Sequence, residues 1–570
     1  MVTRKRPVPF DSLLRFSDFM RVALLQTAPV VGAIRDNTAR LVEGYDRAVA
    51  EGADLVVAPE LALCGYPPRD LLERPDFLAA CDEAVRQLVR HVGGVPFVFG
   101  APVRRDDRLP GKPLANAALI ACNGALVGVR HKALLPTYDV FDEARYFEPG
   151  EPGELFHYGG YRIAVSICED MWNDETFFGR QAYAVDPFDL WHQQGADLVL
   201  NLSASPFHKG KPAFRERLAA HVARRMNAPV VYVNQAGAND ELVFDGHSFV
   251  CRPDGAVCAR LAGFSAALQT IDLKQQPSLP VTSARDELGE VWQALVLGLR
   301  DYATRTGFKT ALLGLSGGID SALTAALAVD ALGASQVLGI AMPSRYSSAH
   351  SVSDARELAD NLGIELWTLP IEATFQAFLD TLAEPFSGLP HDVTEENLQA
   401  RCRGTLLMAT SNKTGRLLLS TGNKSETAVG YSTLYGDMCG GIAVISDVPK
   451  TLVYDLCRWR NRSGEVIPES TIVKPPSAEL RPNQLDQDSL PPYETLDAII
   501  EAWVERCETF EQLVAAGYDA ATVTRVIRLI ERAEYKRRQA APGIRVTSRA
   551  FGVGRRYPVA TGFSGVPVKR

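Results

Sequence analysis

The feature that most constrains the fold is the segment at residues 312–329, LLGLSGGIDSALTAALAV. An apolar run typical of a buried strand ends in Ser316-Gly317-Gly318 and passes into a helix of small residues with Asp320 in its first turn. A strand, a glycine turn and a helix bring free backbone N–H groups and the positive end of a helix dipole to one point, which attracts phosphate. The loop lacks the lysine of a Walker A loop. Because Asp320 would repel phosphate unless a cation lies between them, the sequence predicts a pyrophosphate site with Mg²⁺.

A plainer interpretation of the same segment is a strand–helix turn capped by Asp320 or Ser321. The residues alone leave both interpretations open. The pattern around the segment is clearer, because strands and helices alternate regularly through residues 310–371. This alternation predicts a doubly wound parallel sheet for a domain at residues 285–570.

The first half of the chain has a different pattern. Residues 20–271 hold short β-rich runs separated by helices and end in a hairpin around Pro253-Asp254-Gly255, which predicts a layered α/β domain. The polar, Pro-bearing residues 272–284 are predicted to be a linker. Residues 1–19 are basic without the apolar core of a signal peptide, so they are interpreted as a flexible extension.

Composition excludes several classes of protein. The 570 residues carry a net charge of −8, which disfavours a nucleic-acid binder, and no apolar stretch is long enough to span a membrane. The ten cysteines include no CxxC pair, a usage typical of a reduced, cytoplasmic protein.

One cysteine stands where a nucleophile would be useful. Cys168 ends the strand-like run YRIAVSIC, Glu60 ends ADLVVAPE, and Lys132 follows ALVGVRH. Glu60 could accept the thiol proton and Lys132 could stabilise a thiolate and an oxyanion, so that Cys168 attacks an amide. On spacing alone the catalytic interpretation is the weaker one, because a buried cysteine is more often inert, and Glu60 could be a helix-start cap and Lys132 a surface charge.

Longer motifs in the second half carry a family resemblance. SGGIDS resembles the signature of the ATP pyrophosphatases, and the segments at residues 420–437, 476–494 and 535–558 together resemble NAD⁺ synthetases. The resemblance implies that the carboxylate of deamido-NAD⁺ attacks ATP to form an adenylate, from which ammonia displaces AMP. It implies ATP contacts at Ser316, Gly317, Gly318, Ile319, Asp320, Ser321 and Thr421. It further implies Mg²⁺ ligands at Asp320 and Glu426, deamido-NAD⁺ contacts at Asn397, Glu426 and Lys536, and further phosphate partners at Arg401, Arg403 and Lys450.

The first half resembles the nitrilase-superfamily amidase domain that is fused to such synthetases. The motifs are APELALCGYPPRDLL, RHKALLPTYDVFDEARYFEPG, SICEDMW and NLSASPFHKGK. The resemblance implies an α-β-β-α sandwich and a catalytic triad of Glu60, Lys132 and Cys168. It also implies glutamine-binding positions at Tyr138, Glu143, Ser205 and Lys211. Ammonia released from glutamine would reach the synthetase site through an internal tunnel in a homo-oligomer.

The resemblance as a whole implies a carbon–nitrogen ligase of the glutamine-dependent NAD⁺ synthetase family, with deamido-NAD⁺, ATP and glutamine as substrates. Its products would be NAD⁺, AMP, pyrophosphate and glutamate. Two rival functions are an amidotransferase that acts on a purine nucleotide and a non-catalytic nucleotide sensor. The basic runs YKRRQ and GRRYP are interpreted as contacts to dinucleotide phosphates rather than to nucleic acid, and the Pro-rich residues 473–494 as a lid over the adenylate.

Overall fold

The computed structural model describes residues 20–106, 108–273 and 285–566. The predicted extension at residues 1–19 and residues 274–284 of the predicted linker lie outside the described residues. The described chain forms two compact units, one of residues 20–239 and 243–273 and the other of residues 240–242 and 285–566.

Strands dominate residues 20–273. They are β1 (Arg21–Gln26), β2 (Leu55–Val57), β3 (Phe97–Arg104), β4 (Leu114–Cys122), β5 (Ala125–His131), β6 (Phe156–Tyr158), β7 (Tyr161–Ile167), β8 (Leu198–Ser203), β9 (Val230–Asn234), β10 (Ala236–Asn239), β11 (Leu242–Asp245), β12 (Phe249–Cys251), β13 (Val257–Arg260) and β14 (Ala267–Asp272). The α-helices are α1 (Ile34–Ala50), α2 (Pro75–His91), α3 (Glu175–Phe178), α4 (Pro187–Gln193) and α5 (Lys211–Met226). Asp272, placed in the linker from the sequence, is the last residue of β14 and pairs with Arg21.

Two large sheets of the first unit pack face to face. Their strand orders are β14-β1-β2-β3-β4-β5 and β13-β12-β9-β8-β7-β6. Strand β8 explains the layering, since its Leu198, Leu200 and Leu202 point to the core between the sheets while Val199 belongs to the cluster formed with α4 and α5. Helices α1 and α2 cover the first sheet. Both faces of each sheet are therefore covered, and the predicted α-β-β-α sandwich is confirmed.

The hairpin predicted around Pro253-Asp254-Gly255 is also present. Strands β12 and β13 pair in antiparallel fashion on either side of it. Gly255 has a φ of +85°, a value that glycine adopts without a steric penalty.

Helices and a parallel sheet make up residues 285–566. The strands are β15 (Ala311–Gly314), β16 (Val337–Ala341), β17 (Glu365–Thr368), β18 (Leu417–Ser420) and β19 (Ile442–Ala443). The helices are α6 (Glu287–Arg305), α7 (Ile319–Leu332), α8 (Ala349–Leu362), α9 (Glu372–Leu382), α10 (Val393–Thr414), α11 (Lys424–Val429), α12 (Lys450–Arg460), α13 (Glu469–Val473), α14 (Tyr493–Ile500), α15 (Phe510–Ala515), α16 (Ala520–Arg532) and α17 (Glu534–Arg537).

The sheet of the second unit is doubly wound, as predicted. Its order is β17-β16-β15-β18-β19, and every neighbouring pair is parallel. The chain moves outward from β15 to β17, then returns past β15 to β18 and β19. Helix α7 is rich in buried alanine and leucine because it packs between α6, α12 and the sheet. A separate apolar cluster joins α14 and α16 to α11.

Candidate active sites

The first unit brings the three predicted triad residues together at strand ends. Glu60 follows β2, Lys132 follows β5, and Cys168 follows β7 as the first residue of a short 3₁₀ helix (Cys168–Met171). The Lys132 Nζ atom lies 2.7 Å from the Glu60 Oε1 atom, and both side chains are inaccessible to solvent. Burial raises the pKa of the Cys168 thiol, and the charge of Glu60 raises it further while Lys132 lowers it. The net effect of these surroundings is to raise the pKa of the Cys168 thiol, so they favour the thiol over the thiolate.

The backbone at Cys168 is in an unusual conformation. Its φ is +43°, in the left-handed region that residues with a Cβ rarely occupy. Asp170 holds the surrounding turn: its carboxylate accepts hydrogen bonds from the backbone N–H groups of Ile167 (2.8 Å), Ala133 (3.0 Å) and Leu134 (2.9 Å). One buried carboxylate thus ties the turn that carries Cys168 to the loop that follows Lys132. Strain of this kind is characteristic of functional positions.

Glu143 completes the buried ionic centre. Its Oε1 atom lies 2.7 Å from the Lys132 Nζ atom, so this lysine bridges Glu60 and Glu143. Burial raises the pKa of Glu143 to about 7 although Lys132 lowers it, whereas Glu143 and Glu60 raise the pKa of Lys132 against the effect of its own burial. The lysine therefore stays a cation in a site from which water is excluded, and a charge in such a site acts strongly on its neighbours.

Two residues that the sequence analysis missed orient the carboxylates. The Asn116 amide donates to Glu60 (2.7 Å) and to Glu143 (3.3 Å), and the Tyr66 hydroxyl donates to Glu143 (2.9 Å). Asn116 had a usable signal, since it interrupts the apolar strand LANAALIAC. The Ala204 N–H also donates to Glu60 (3.0 Å). Ser205, predicted to bind glutamine, is the next residue in the chain and therefore lies near Glu60.

The remaining glutamine-binding predictions surround the same centre. The Tyr138 hydroxyl lies 3.0 Å from both carboxylate oxygens of Glu169, the residue that follows Cys168. The Lys211 ammonium lies 5.8 Å from the centre of the Phe141 ring, and that ring packs edge-on against Tyr138 at 5.5 Å. Glu169 was not among the residues predicted from the sequence, and burial raises its pKa to about 7.

In the second unit, the predicted phosphate loop joins β15 to α7. Gly317 has a φ of +74°, and a Cβ there would lie 2.3 Å from the Ser351 carbonyl oxygen, so only glycine fits. The Ser321 hydroxyl donates to the Gly318 carbonyl (2.9 Å) and lies 3.1 Å from the Ser316 hydroxyl. Gly318 caps α7 without a side-chain hydrogen bond. The alternative in which Asp320 or Ser321 caps the helix is therefore wrong.

The phosphate loop lies where parallel α/β sheets bind ligands. The order in which strands are added to the sheet reverses between β15 and β18, and the crevice outside the carboxyl ends at such a switch point is the usual binding site. The loop leaves the carboxyl end of β15, and Thr421 follows the carboxyl end of β18. Tertiary structure thus brings Thr421 beside a loop about a hundred residues earlier in the chain.

Two cavities open at this edge of the sheet. The first, of about 270 Å³, is lined by Ser316, Thr421, Arg403 and part of the predicted lid at residues 477–480. The second, of about 660 Å³, is lined by Asp320, Glu426 and Lys536 together with Arg537, Arg538, Arg555 and Arg556. Ser316, Ser420, Thr421 and Asp437 line both cavities. The basic runs YKRRQ and GRRYP therefore contribute cations to one cavity wall.

The predicted metal ligands face each other across a lysine. The buried Lys450 ammonium is hydrogen-bonded to Asp320 and lies 3.6 Å from the Glu426 Oε1 atom. Asn423 donates to Asp320 (3.0 Å) and accepts from the Glu426 N–H (2.9 Å). Burial, and next the charge of Asp320, raise the pKa of Glu426 to about 8. Lys450, predicted as a phosphate partner, is here the counter-ion of both carboxylates.

The donor set fits Mg²⁺ when phosphate is present. Among the described residues there is no group of three or more His, Cys, Asp or Glu side chains that could hold a metal by themselves. Mg²⁺ does not require such a group, since it commonly takes one or two carboxylates and completes its shell with phosphate oxygens and water. Asp320 and Glu426 provide such a pair beside the phosphate loop.

The other side chains of the second unit that are predicted to contact substrates form hydrogen bonds with backbone carbonyls or side chains. Lys536 donates to the carbonyls of Gly430 (2.8 Å) and Ser432 (2.7 Å), and burial lowers its pKa. Asn397 accepts from the Thr433 hydroxyl (2.9 Å). The Nε atoms of Arg401 and Arg403 donate to the carbonyls of Leu434 (3.2 Å) and Met342 (3.1 Å), respectively.

Comparison with known proteins assigns the family. The Carbon-nitrogen hydrolase model matches residues 21–277 and the NAD synthase model matches residues 291–540. A glutamine-dependent NAD(+) synthetase from Synechocystis sp. is 49% identical over 95% of this chain and 99% of its own length. This chain belongs to the glutamine-dependent NAD(+) synthetase family. It is therefore a ligase with one unit of the carbon–nitrogen hydrolase type and one of the NAD synthase type.

Solved structures agree with that assignment to the family. The glutamine-dependent NAD+ synthetase from Acinetobacter baumannii in complex with ADP is 41% identical, has a TM-score of 0.75, and covers 96% of this chain and 100% of its own. A glutamine-dependent NAD(+) synthetase from Cytophaga hutchinsonii, 22% identical, shares the fold with a TM-score of 0.80 over 95% of this chain and 98% of its own. Of the helices in the described residues, none has both the length and the apolar character needed to cross a bilayer.

Proposed function

We propose that this chain converts deamido-NAD⁺, ATP, glutamine and water into NAD⁺, AMP, pyrophosphate and glutamate. The observation that carries the proposal is the buried Lys132 ammonium, which lies 2.7 Å from both Glu60 and Glu143 and acts electrostatically on Cys168. The two matching family models and the whole-length relatives support it. Cys168 acts as a reduced thiol, which suits the cytoplasmic location proposed for the reaction.

Amide cleavage uses the protonated resting thiol. Glu60 accepts the Cys168 proton as sulfur attacks the amide carbon of glutamine, and Lys132 stabilises the resulting oxyanion. The proton returns to the leaving nitrogen, so ammonia departs and a thioester remains on Cys168. Glu60 then deprotonates the water that hydrolyses the thioester to glutamate.

Charge complementarity accounts for the recognition of glutamine. The carboxylate of Glu169 suits the α-ammonium group of the substrate, and the Lys211 ammonium suits its α-carboxylate. Tyr138 and Ser205, which are also proposed to bind glutamine, supply hydroxyl groups beside these charges. A buried site that pairs both charges rejects amides that lack them, because unpaired buried charges are costly.

Adenylation takes place at the phosphate loop. Residues 316–321 and Thr421 hold the phosphates of ATP, so that the nicotinate carboxylate attacks the α-phosphorus and pyrophosphate leaves. Mg²⁺ held by Asp320 and Glu426 would neutralise phosphate charge when bound. The ADP in the Acinetobacter baumannii relative supports nucleotide binding by this family. Ammonia then attacks the activated carbonyl and displaces AMP.

The larger cavity is proposed to hold deamido-NAD⁺. Its wall carries Lys536 and four arginines, which suit the pyrophosphate of a dinucleotide. Glu534 lies buried among these cations and pairs with Arg537 and Arg555, each at 2.9 Å. This pairing fixes the planes of the two guanidinium groups before the dinucleotide arrives. Asn397 is proposed to contact the same ligand.

Ammonia must reach the synthetase site before it is protonated, because ammonium is not nucleophilic. We therefore propose an internal path between the two sites and a homo-oligomer that completes it. A purified monomer with full glutamine-dependent activity would contradict the oligomer.

Isotope tracing tests the proposed function. With [amide-¹⁵N]glutamine and a tenfold excess of unlabelled ammonium, we expect NAD⁺ that carries ¹⁵N in its carboxamide, because the transferred nitrogen does not mix with bulk ammonium. Mass spectrometry of the product measures the labelled fraction. An unlabelled product would contradict transfer from glutamine, and a labelled fraction diluted to the bulk ratio would contradict the internal path.

The contacts of residues 473–494 support their role as a lid. This segment is largely irregular, as its proline content predicts, and residues 477–480 line the smaller cavity. Glu479 accepts hydrogen bonds from the Ser351 hydroxyl (2.7 Å) and from the Ser348 N–H (3.3 Å) at the start of α8. Ser351 also contacts the phosphate loop at Gly317, so the lid meets the loop through one residue.

We expect ATP plus deamido-NAD⁺ to slow proteolysis within the lid, because ligands would order it over the adenylate. Trypsin is unsuitable, since Lys474 and Arg481 both precede proline. Cleavage by V8 protease after Glu479, followed by mass spectrometry, measures the effect. Cleavage after the exposed Glu51 of the first unit is the internal control. Equal rates of cleavage after Glu479 with and without ligands would contradict the lid.

A further inference from the structure

A loop beside the amidase centre is held firmly by hydrogen bonds although many of its residues are exposed. This loop, residues 173–186, is called the Tyr183 loop here. The Tyr183 hydroxyl donates to the Glu169 Oε1 atom at 2.9 Å, and the Tyr138 hydroxyl contacts the same carboxylate from a different loop. Glu169, which follows Cys168 in the chain, is buried. Two tyrosines from separate loops therefore fix one carboxylate next to the nucleophile.

Asn173 holds the Tyr183 loop from inside. Its Nδ2 atom donates to the carbonyls of Tyr183 (3.0 Å) and Val185 (2.8 Å), and its Oδ1 atom accepts from the N–H groups of Ala182 (2.8 Å) and Tyr183 (2.9 Å). These four bonds use both donors and both acceptor positions of the amide. Asn173 is only 1% exposed, whereas Ala182 and Val185 are exposed. The part of the loop that carries Tyr183 is therefore held by the hydrogen bonds of one buried side chain, whereas Phe177 and Phe178 anchor its first part by apolar packing.

Arg225 fixes both ends of the same loop. Its Nη1 atom lies 2.7 Å from the carboxylates of Asp174 and Asp186, which cap the N-termini of α3 and α4. Its Nη2 atom also binds Asp189 (2.5 Å). Because Asp174 and Asp186 lie near the two ends of the loop, one guanidinium group closes it. Asn173 and Arg225, which lie outside the triad, therefore hold Tyr183 in place.

The position of Tyr183 matters because Glu169 faces charged neighbours. Lys132 and Glu143 both act electrostatically on Glu169 and on Tyr183, so these groups share one buried environment. A carboxylate that receives a ligand ammonium ion there must already point in the required direction, since reorienting it on binding would weaken affinity. The Tyr183 hydroxyl supplies this orientation.

We propose that Asn173 is a positioning residue for amide cleavage, which acts through Tyr183 to hold Glu169 in the orientation that binds the α-amino group of the substrate. This inference rests on the proposed function of the amidase site. It assigns no chemical step to Asn173 or Tyr183. Their effect should appear in the KM for glutamine and not in the rate of the chemical step.

A double-mutant cycle tests the coupling. Tyr183→Phe and Asn173→Ala should each raise the KM for glutamine by about tenfold with little change in kcat, the size expected for one hydrogen bond to a charged group. The double variant should be no worse than the more affected single variant, because Asn173 acts only through Tyr183. NAD⁺ synthesis from added ammonia should be unchanged. Effects that multiply in the double variant would overturn the proposal.

Chemical labelling separates loss of recognition from general damage. A diazo-ketone analogue of glutamine should label Cys168 more slowly in both single variants, whereas iodoacetamide, which lacks the amino acid group, should label it at the wild-type rate. Asn461→Ala is the matched control, because Asn461 holds a loop of the second unit through the N–H groups of Val466 and Ile467 (3.0 Å each) and should leave both labelling rates unchanged.

The remaining outcomes are also decisive. If Asn173→Ala fails to fold, Arg225→Lys replaces it, because this substitution loosens the same loop. Arg225→Lys is then combined with Tyr183→Phe in the double-mutant cycle. Effects of the two substitutions on the KM for glutamine that multiply would again overturn the proposal. A wild-type protein that the diazo-ketone does not label at Cys168 would overturn the proposed amidase function and this inference together. A labelled wild type with unaltered variants would overturn this inference alone.

Discussion

Replacing Cys168 with alanine is expected to lower glutamine-dependent NAD⁺ formation by at least about 10⁴-fold, the order of loss that follows removal of a catalytic nucleophile. No other described group is placed to form the thioester beside Lys132 and Glu60. Synthesis from added ammonia should remain near the wild-type rate, because it requires only the second unit. Coupled assays of NAD⁺ with glutamine or with ammonium chloride as nitrogen source measure both activities.

Cys258→Ala is the matched control for this variant. Cys258 is partly buried in β13 of the same unit and bonds only weakly to the Val250 carbonyl (3.4 Å). It should keep both activities. If Cys168→Ala abolished ammonia-dependent synthesis in a protein that remained folded by circular dichroism, the division of labour between the two units would be contradicted. Full glutamine-dependent activity in Cys168→Ala would contradict the nucleophile.

Replacing Asp320 with asparagine is expected to lower NAD⁺ synthesis from either nitrogen source by about 10³-fold or more, since it removes one of the two carboxylates proposed to hold Mg²⁺ against the phosphates of ATP. The substitution keeps the shape of the side chain and can retain the contact with Asn423. Glu426, whose Oε1 atom lies 3.6 Å from the Lys450 Nζ atom, remains as an anionic partner of Lys450. Release of AMP from ATP and deamido-NAD⁺, measured without any nitrogen source, reports the adenylation step directly.

Asp330→Asn is the matched control on the same helix. Asp330 accepts a hydrogen bond from the Trp292 indole (2.9 Å) and pairs with Arg460 (3.4 Å), away from the cavity. The change in charge is the same, so any loss in Asp320→Asn that is absent in Asp330→Asn belongs to the site. Normal AMP release by Asp320→Asn would contradict the proposed role of Asp320. Loss of NAD⁺ synthesis with glutamine but not with ammonia would place the effect of Asp320→Asn in the first unit and would also contradict that role.

Local chemistry explains what could be predicted at the phosphate loop. Strand β15, the glycine turn and α7 are consecutive in the chain, so the motif LLGLSGGIDS carries its own geometry. The alternative cap at Asp320 or Ser321 was wrong because the Ser321 hydroxyl turns back to the Gly318 carbonyl. The position of Lys450 was harder to foresee, since its two carboxylate partners lie 130 and 24 residues earlier in the chain.

The same distinction applies to the amidase centre. Glu60, Lys132 and Cys168 could be proposed because each stands at the end of a strand-like run, but their meeting depends on the strand order within each sheet and on the packing of the two sheets against each other. Asn116, in an apolar strand, and Tyr66, in the irregular segment after β2, were missed because neither position reveals the partner of its side chain. Asn173 was missed for a related reason, since its four bonds go to backbone groups that any residue would present.

By itself, the sequence determined the features that depend on neighbours in the chain: the layered and doubly wound sheets, the glycine turn at the phosphate loop, and the residue types able to cleave an amide or bind phosphate. Only the tertiary structure decided which charges meet, namely that Lys132 bridges two glutamates and that Lys450 lies between Asp320 and Glu426. The physical reason is that hydrophobic periodicity directs a side chain inward or outward but carries no information about its partner. That partner is set by the register and order of strands far apart in the chain.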